Sequence, residues 1–172
     1  ELLTNRLKNF ELDILQKFDL LLLISTKENE YLKELKLNRS YYLPFGVAQK
    51  HDLPVVQLEE KSCYHIGSMD WAPNVEGVQW FLENIWAEIH KDLPGVALYL
   101  AGKNMPPSFL SKENENIHIV GEVDDVIRFS LEKNIMLVPL LSGAGIRIKI
   151  LEAMSLGKTI VSTTVGVDGI GA

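Results

Sequence analysis

Pro139 to Gly157 reads PLLSGAGIRIKILEAMSLG. A short apolar run, Ile135 to Val138, precedes it and has the character of a buried strand. Gly143 and Gly145 then supply a permissive loop. From Ile146 the apolar spacing turns helical, with Ile146, Ile150, Ala153 and Met154 on one side and Gly157 as terminator. The spacing therefore predicts strand, Gly-rich turn, helix, with Arg147 and Lys149 in the first turns and Glu152 one turn later. Cations normally avoid a helix N-terminus, where the macrodipole is positive. Two of them there make sense if an anion sits over the free N–H groups. Lys149 and Glu152, three apart, share a face, so a phosphate-binding cation and a hydroxyl-binding carboxylate would lie side by side. The plainer alternative is an ordinary surface ion pair worth about 0.2–0.5 kcal/mol, with the glycines merely shaping a loop.

Composition narrows the function classes. The chain has 172 residues, 47% hydrophobic and 23% charged, as in an ordinary globular protein. A net charge of −6 argues against a broad nucleic-acid or membrane surface, yet leaves room for a local anion pocket built from two or three donors. Cys63 is the only cysteine, so no internal disulfide forms, which fits a reducing compartment. No apolar run approaches the length of a transmembrane helix, and the N-terminus lacks a signal-peptide pattern. The sequence has no starting methionine and begins in mid-pattern, which suggests a segment of a longer protein.

Taken in order, Leu3, Leu7, Phe10, Ile14 and Leu15 predict an amphipathic helix over 1–17. A strand follows over 19–24, then a helix over 27–37 capped by Thr26, then a short strand over 40–47. Residues 48–62 are polar and aperiodic and contain Pro54, so they read as a linker. From Cys63 the pattern is regular: strands over 63–69, 96–101, 117–120, 135–140 and 159–165. Helices lie between them over 74–91, 107–112 (one turn), 124–133 and from Ile146. Val75, Val78, Phe81, Leu82, Ile85, Trp86 and Ile89 form a broad core-facing stripe on the first of these helices. Such alternation means an α/β fold: a Rossmann-like parallel sheet with helices on both faces, preceded by a piece of another domain. Ligands on such sheets bind outside the carboxyl ends of the strands, where the turns 67–74, 121–125, 142–149 and 166–171 collect.

Several pieces together resemble family-4 glycosyltransferases, which are retaining, nucleotide-sugar-dependent enzymes of GT-B architecture. They are GSMDWAPNVEGVQWF (Gly67–Phe81), LAG (Leu100–Gly102), VGEV (Val120–Val123), PLLSGAGIRIKILEAM (Pro139–Met154) and STTVGVDGI (Ser162–Ile170). Upstream, FDLLLLIS (Phe18–Ser25) and LPFGV (Leu43–Val47) resemble the end of that family's N-terminal domain. The resemblance implies residues 1–47 as a remnant of the acceptor domain and 48–62 as an interdomain linker. Residues 63–172 would be the nucleotide-sugar-binding half of a GT-B fold, cut short at its C-terminus. It also implies roles. Glu152 would hold the donor's ribose hydroxyls, since an ionised carboxylate accepts two hydrogen bonds from a vicinal diol. Arg147 and Lys149 would hold the diphosphate and stabilise its growing charge as it departs, which makes them the catalytic candidates. Gly121 to Val123 would lie against the base. Gly67, Gly143 and Gly145 would let the backbone approach the donor.

Two departures from the family pattern matter. The first glutamate of the family's pair should stand eight positions before Glu152, where this chain has Ala144. The loop 67–74 lacks the basic residues that many members carry, so Arg147 and Lys149 are expected to take over. A GT-B active site lies between two domains, so this chain alone is expected at most to bind the donor. The resemblance further implies a hexosyltransferase in surface-polysaccharide assembly. Its donor would be a nucleotide-diphosphate sugar, held without a cofactor or metal, and its acceptor a saccharide or lipid-linked molecule. It would be cytoplasmic, at the inner face of the membrane in the full-length protein.

Readings of other classes fit less well. Gly143-Ala144-Gly145 begins a dinucleotide fingerprint, but position 148 is Ile where the third Gly is needed. Lys149 is followed by Ile150, which breaks a P-loop. His51, His65, His90 and His118 are scattered, without metal-ligand spacing. A non-catalytic nucleotide- or sugar-recognition module that has lost activity is the remaining alternative, and Ala144 is consistent with it.

Overall fold

The structure is a computed structural model that describes residues 2–48 and 52–170. His51 lies outside the described residues. The chain divides into two compact units, one running through Gly46 and the other starting at Val47.

The first unit contains α1 (Leu2–Leu15), β1 (Leu21–Leu23), α2 (Thr26–Glu34) and β2 (Ser40–Tyr42). β1 and β2 pair in parallel, with Leu21 opposite Ser40. The amphipathic spacing makes α1 a helix, but none of its residues is buried. The cap of α2 differs from the expectation. Ser25, not Thr26, stands at the N-cap, and its hydroxyl accepts from the Glu28 amide. The strand expected over 40–47 ends at Tyr42.

The second unit is built on a five-stranded, wholly parallel sheet of order β5-β4-β3-β6-β7. Its elements are β3 (Glu59–Ile66), α3 (Ala72–Phe81), a π-helical turn (Leu82–Trp86) and α4 (Ala87–Asp92). Then come β4 (Ala97–Ala101), α5 (Pro107–Leu110), β5 (Ile117–Gly121), α6 (Val126–Glu132), β6 (Lys133–Val138), α7 (Ile148–Ser155) and β7 (Thr159–Ser162). β3 starts four residues earlier than the hydrophobic pattern suggested, because Glu59 pairs with Lys133 at the sheet's amino edge.

Side chains alternate between the two faces of the sheet. Cys63, Leu98, Leu100 and Leu137 face one core with Val78, Phe81, Trp86 and Phe109. Tyr64, Ala101, Met136 and Val138 face the other with Phe129, Ile150 and Ala153. The long helix expected over 74–91 is interrupted by the π turn. Its wider turn brings Phe81 and Trp86, five positions apart, into the same core, with ring centroids 6.3 Å apart.

The strand order reverses direction at β3. The chain builds outward through β4 and β5, then crosses to β6 on the other side of β3. The carboxyl ends of β3 and β6 therefore flank the topological switch point, where an open α/β sheet leaves a crevice.

Candidate anion site at the switch point

Two loops meet at this crevice: residues 67–71 between β3 and α3, and residues 139–147 between β6 and α7. Helix α7 begins at Ile148, two residues later than the apolar spacing indicated, so Arg147 is the residue flanking the helix. Ile150 and Ala153 carry the buried face, whereas Met154 is exposed. Leaving Arg147 outside the helix lets its side chain fold back on its own loop. Nη1 donates to the carbonyls of Ala144 at 2.6 Å and Gly145 at 2.5 Å. The guanidinium lies 5.1 Å from the centroid of the Trp71 ring. Arg147 is buried, yet its Nε and Nη2 have no hydrogen-bond partner among the described residues. Those two atoms form one edge of the guanidinium fork, whose N–H bonds run parallel and match two oxygens of a phosphate or carboxylate.

Lys149 lies in the first turn of α7 and reaches across the crevice. Its Nζ donates to the Ile66 carbonyl at 2.9 Å and to Asn74 Oδ1 at 3.3 Å. Asn74, buried at the start of α3, is held in turn by Nδ2 donating to the Ser68 carbonyl at 2.8 Å. Burial, and then the neighbouring charge of Arg147, pull the Lys149 ammonium down to about 8. Beneath it, His65 donates from Nδ1 to the Leu137 carbonyl at 3.0 Å, leaving Nε2 as a buried acceptor without a partner among the described residues. Burial first, and the charge of Lys149 second, hold this imidazole neutral down to about 3. Among the described residues, no carboxylate forms a salt bridge with Arg147 or Lys149. Each buried N–H left without a partner costs about 1–3 kcal/mol. The arrangement is therefore a cationic site with one bidentate edge unsatisfied, the chemistry that binds a phosphate or similar oxyanion.

The structure brings some of the sequence-selected residues together and leaves others apart. Gly67 is at the centre: a Cβ there would lie 2.6 Å from Asn74 Nδ2 and 3.2 Å from Lys149 Nζ, so the close approach needs glycine. Gly143, at φ +113, makes room for both Arg147 and Trp71. Gly145 contributes its carbonyl to Arg147. Gly121 ends β5, two strands away, and connects to the site through Gly102, whose amide donates to the Gly121 carbonyl at 2.7 Å. Val123 packs against the second core. Glu152 is exposed on α7 and does not join buried Arg147 and half-buried Lys149. The surface ion pair between Lys149 and Glu152 does not form, because Lys149 turns inward to Ile66 and Asn74. Trp71, Asn74 and His65 are site residues that spacing alone did not single out. The only sequence signal was their place in or beside the turn after the first regular strand. Among the described residues, no three His, Cys, Asp or Glu side chains converge as a metal-binding group, and no helix is long and apolar enough to cross a membrane.

Residues 60–171 match the family described as Glycosyl transferases group 1, and the chain belongs to that family. Against individual proteins, the chain is 27% identical over 170 residues to an uncharacterized 44.6 kDa protein in the cps region of Klebsiella pneumoniae. That match covers 92% of this chain and 42% of the relative. In fold it is similar to TarM, with a TM-score of 0.72 at 14% identity over 92% of this chain and 32% of TarM. The pneumococcal O-GlcNAc transferase GtfA, solved in complex with UDP and GlcNAc, gives 0.67 at 16% identity, covering 87% of this chain and 31% of GtfA. WaaG, a glycosyltransferase involved in lipopolysaccharide biosynthesis, gives 0.64 at 16% identity, covering 87% of this chain and 45% of WaaG. These likenesses show the α/β fold of GT-B glycosyltransferases. The chain spans less than half the length of each of these proteins.

Proposed function

We propose that the full-length protein is a retaining family-4 glycosyltransferase of the hexosyltransferase type. In this reading it transfers a sugar from a nucleotide-diphosphate sugar to a saccharide or lipid-linked acceptor during surface-polysaccharide synthesis. Residues 63–172 are its donor-binding portion, residues 1–47 belong to the acceptor domain, and 48–62 join the two. The single observation that carries the reading is the unpartnered Nε/Nη2 edge of buried Arg147 beside Lys149 at the switch point. A diphosphate supplies oxygens for that edge and negative charge for both cations. As the bond to the sugar breaks, charge grows on the departing diphosphate, and preorganised donors at that position stabilise it. Arg147 and Lys149 are assigned that catalytic role, and the diphosphate charge is met by them with no metal ion assigned. Glu152 is assigned to the ribose hydroxyls. Gly67, Gly143 and Gly145 allow close backbone approach, and Gly121 to Val123 lie against the base. The full-length enzyme is placed in the cytoplasm, at the inner membrane face. Support for the wider role comes from relatives: a protein of a cps region, a lipopolysaccharide glycosyltransferase and a transferase solved with UDP and GlcNAc.

The test is calorimetric titration of the chain with UDP, GDP and their sugar conjugates, alongside Glu152→Ala. Binding of one nucleotide, weakened about tenfold in the variant by loss of hydrogen bonds to a charged group, supports the assignment and identifies the base. Ala144 at the position of the family's first glutamate favours a second reading, a recognition module without turnover. Donor binding with no sugar transfer by the full-length protein would select it.

A further inference from the structure

The three tryptophans have different surroundings. Trp80 and Trp86 pack in the first core, whereas Trp71 belongs to neither core and is 38% exposed. Trp71 also stands at the N-cap of α3, where Ser, Thr, Asp or Asn would satisfy a free amide, and its side chain makes no capping bond. Neither core packing nor capping accounts for it. Its partner is Arg147, 5.1 Å from the ring centroid. Gly143 closes the other side. A Cβ at that position would come within 3.0 Å of Trp71 Cζ2 and Cη2 and 2.9 Å of Arg147 Nη2, on a backbone at φ +113 that disfavours any side chain.

We propose that Trp71 is a positioning residue for the diphosphate site: with Gly143 it forms a slot that fixes the Arg147 guanidinium so that its Nε/Nη2 edge is set for two phosphate oxygens. The proposal rests on the donor-site reading above. A free arginine side chain has many rotamers, and binding an anion must freeze one of them. Here the freezing is already done. The Ala144 and Gly145 carbonyls occupy Nη1, the indole lies against the guanidinium, and only one edge of the fork is left. The effect falls on the charged part of the ligand, because Arg147 is the group held.

The test compares wild-type protein with Trp71→Ala and Trp71→Phe in two measurements. The first is affinity for UDP and GDP against uridine and guanosine, which lack the phosphates. Trp71→Ala should weaken diphosphate binding about tenfold and leave nucleoside binding unchanged, while Trp71→Phe, which keeps an aromatic face, should stay within about threefold of wild type. Unchanged or tighter diphosphate binding in Trp71→Ala would overturn the proposal, and so would equal weakening of diphosphates and nucleosides. The second measurement is the NMR signal of Arg147 Nε–H without ligand. It should be shifted by the indole ring current in wild type and move to the free-arginine position in Trp71→Ala. A signal that does not move overturns the proposal even if diphosphates fail to bind. A failure of wild type to bind UDP or GDP, with the NMR shift present, counts against the donor-site reading alone.

Discussion

Lys133 and Lys149 stand at opposite ends of one strand and meet opposite surroundings. Lys133, at the amino end of β6, donates to Glu59 Oε2 at 3.1 Å and lies 4.2 Å from the Tyr99 ring centroid. Tyr99 in turn donates its hydroxyl to Glu59 Oε1 at 2.5 Å and stacks on His118. That cluster is closed: cation, carboxylate and hydroxyl satisfy one another. Among the described residues, Lys149, beyond the carboxyl end of β6, has only a backbone carbonyl and an amide oxygen as partners, and its cationic neighbour Arg147 has half a fork unsatisfied. Burying a charge is costly unless it is paired. One end of the sheet meets that cost within the fold. The other leaves it standing, which is how a site bound for an external anion differs from a structural ion pair.

The largest effect is expected at Arg147. Arg147→Ala should weaken UDP or GDP binding by about 10²- to 10⁴-fold, since two hydrogen bonds from a charged donor, each about 1.5–3 kcal/mol, are lost. Thermal stability should change little, because the loss of two loop hydrogen bonds is offset by removing two buried unsatisfied N–H groups. Calorimetry with a parallel melting curve checks both. A large stability loss with retained binding would mean that Arg147 is structural.

The second prediction uses pH. Lys149 titrates at about 8 in the folded chain, against 10.5 ordinarily. Between those values the unfolded chain holds the proton and the folded chain does not, so this group makes stability rise with pH across that window, by about 3 kcal/mol. Lys149→Met should flatten the rise in denaturant melts taken from pH 8 to 10.5. On the acid side the sign is the same, because these groups too are held below their ordinary values. His65, held at about 3, contributes stability above its ordinary 6.5 that is lost as pH falls towards 3. At Glu59 burial pushes the carboxyl up, but the Tyr99 hydroxyl, then Lys133, and His118 outweigh it and hold it below 4.5. Its contribution is present above 4.5 and lost on further acidification.

The smallest effect is expected at the closed end. Lys133→Met leaves Glu59 with the Tyr99 hydroxyl and partial solvent access, so it should cost about 1–2 kcal/mol rather than the larger penalty of a fully buried broken pair. Nucleotide binding should stay unchanged. A loss of binding in this variant would show that the two ends are coupled, and the contrast drawn between them would fail.

Much of the architecture was legible in the chain because its signals are local. Short apolar runs placed every strand of the sheet to within a few residues at its ends, and the stripe from Val75 to Ile89 placed the long helix. The π turn at Leu82–Trp86 was not legible, since its cause is the joint burial of Phe81 and Trp86 in a core that only the assembled sheet creates. The early start of β3 at Glu59 escaped for a similar reason: a charged residue extends a strand when a cation on a neighbouring strand receives it. In the site, Arg147 and Lys149 stood out by their position at the start of a helix. Their surroundings did not, and Glu152, three residues from Lys149, was expected beside a cation that turns away from it.

The order of strands and helices, the Gly-rich turn before α7 and the two cations there are fixed locally in the chain, because spacing and turn chemistry act over a few residues. The folded arrangement buries Arg147 and half-buries Lys149 with no acid paired to either among the described residues. Lys149 meets Ile66, 83 positions away, and Asn74, 75 away, only once β3 and β6 lie side by side. It likewise places Trp71 against Arg147. Contacts between residues so distant in the chain depend on the pairing order of the strands, which hydrophobic spacing does not specify.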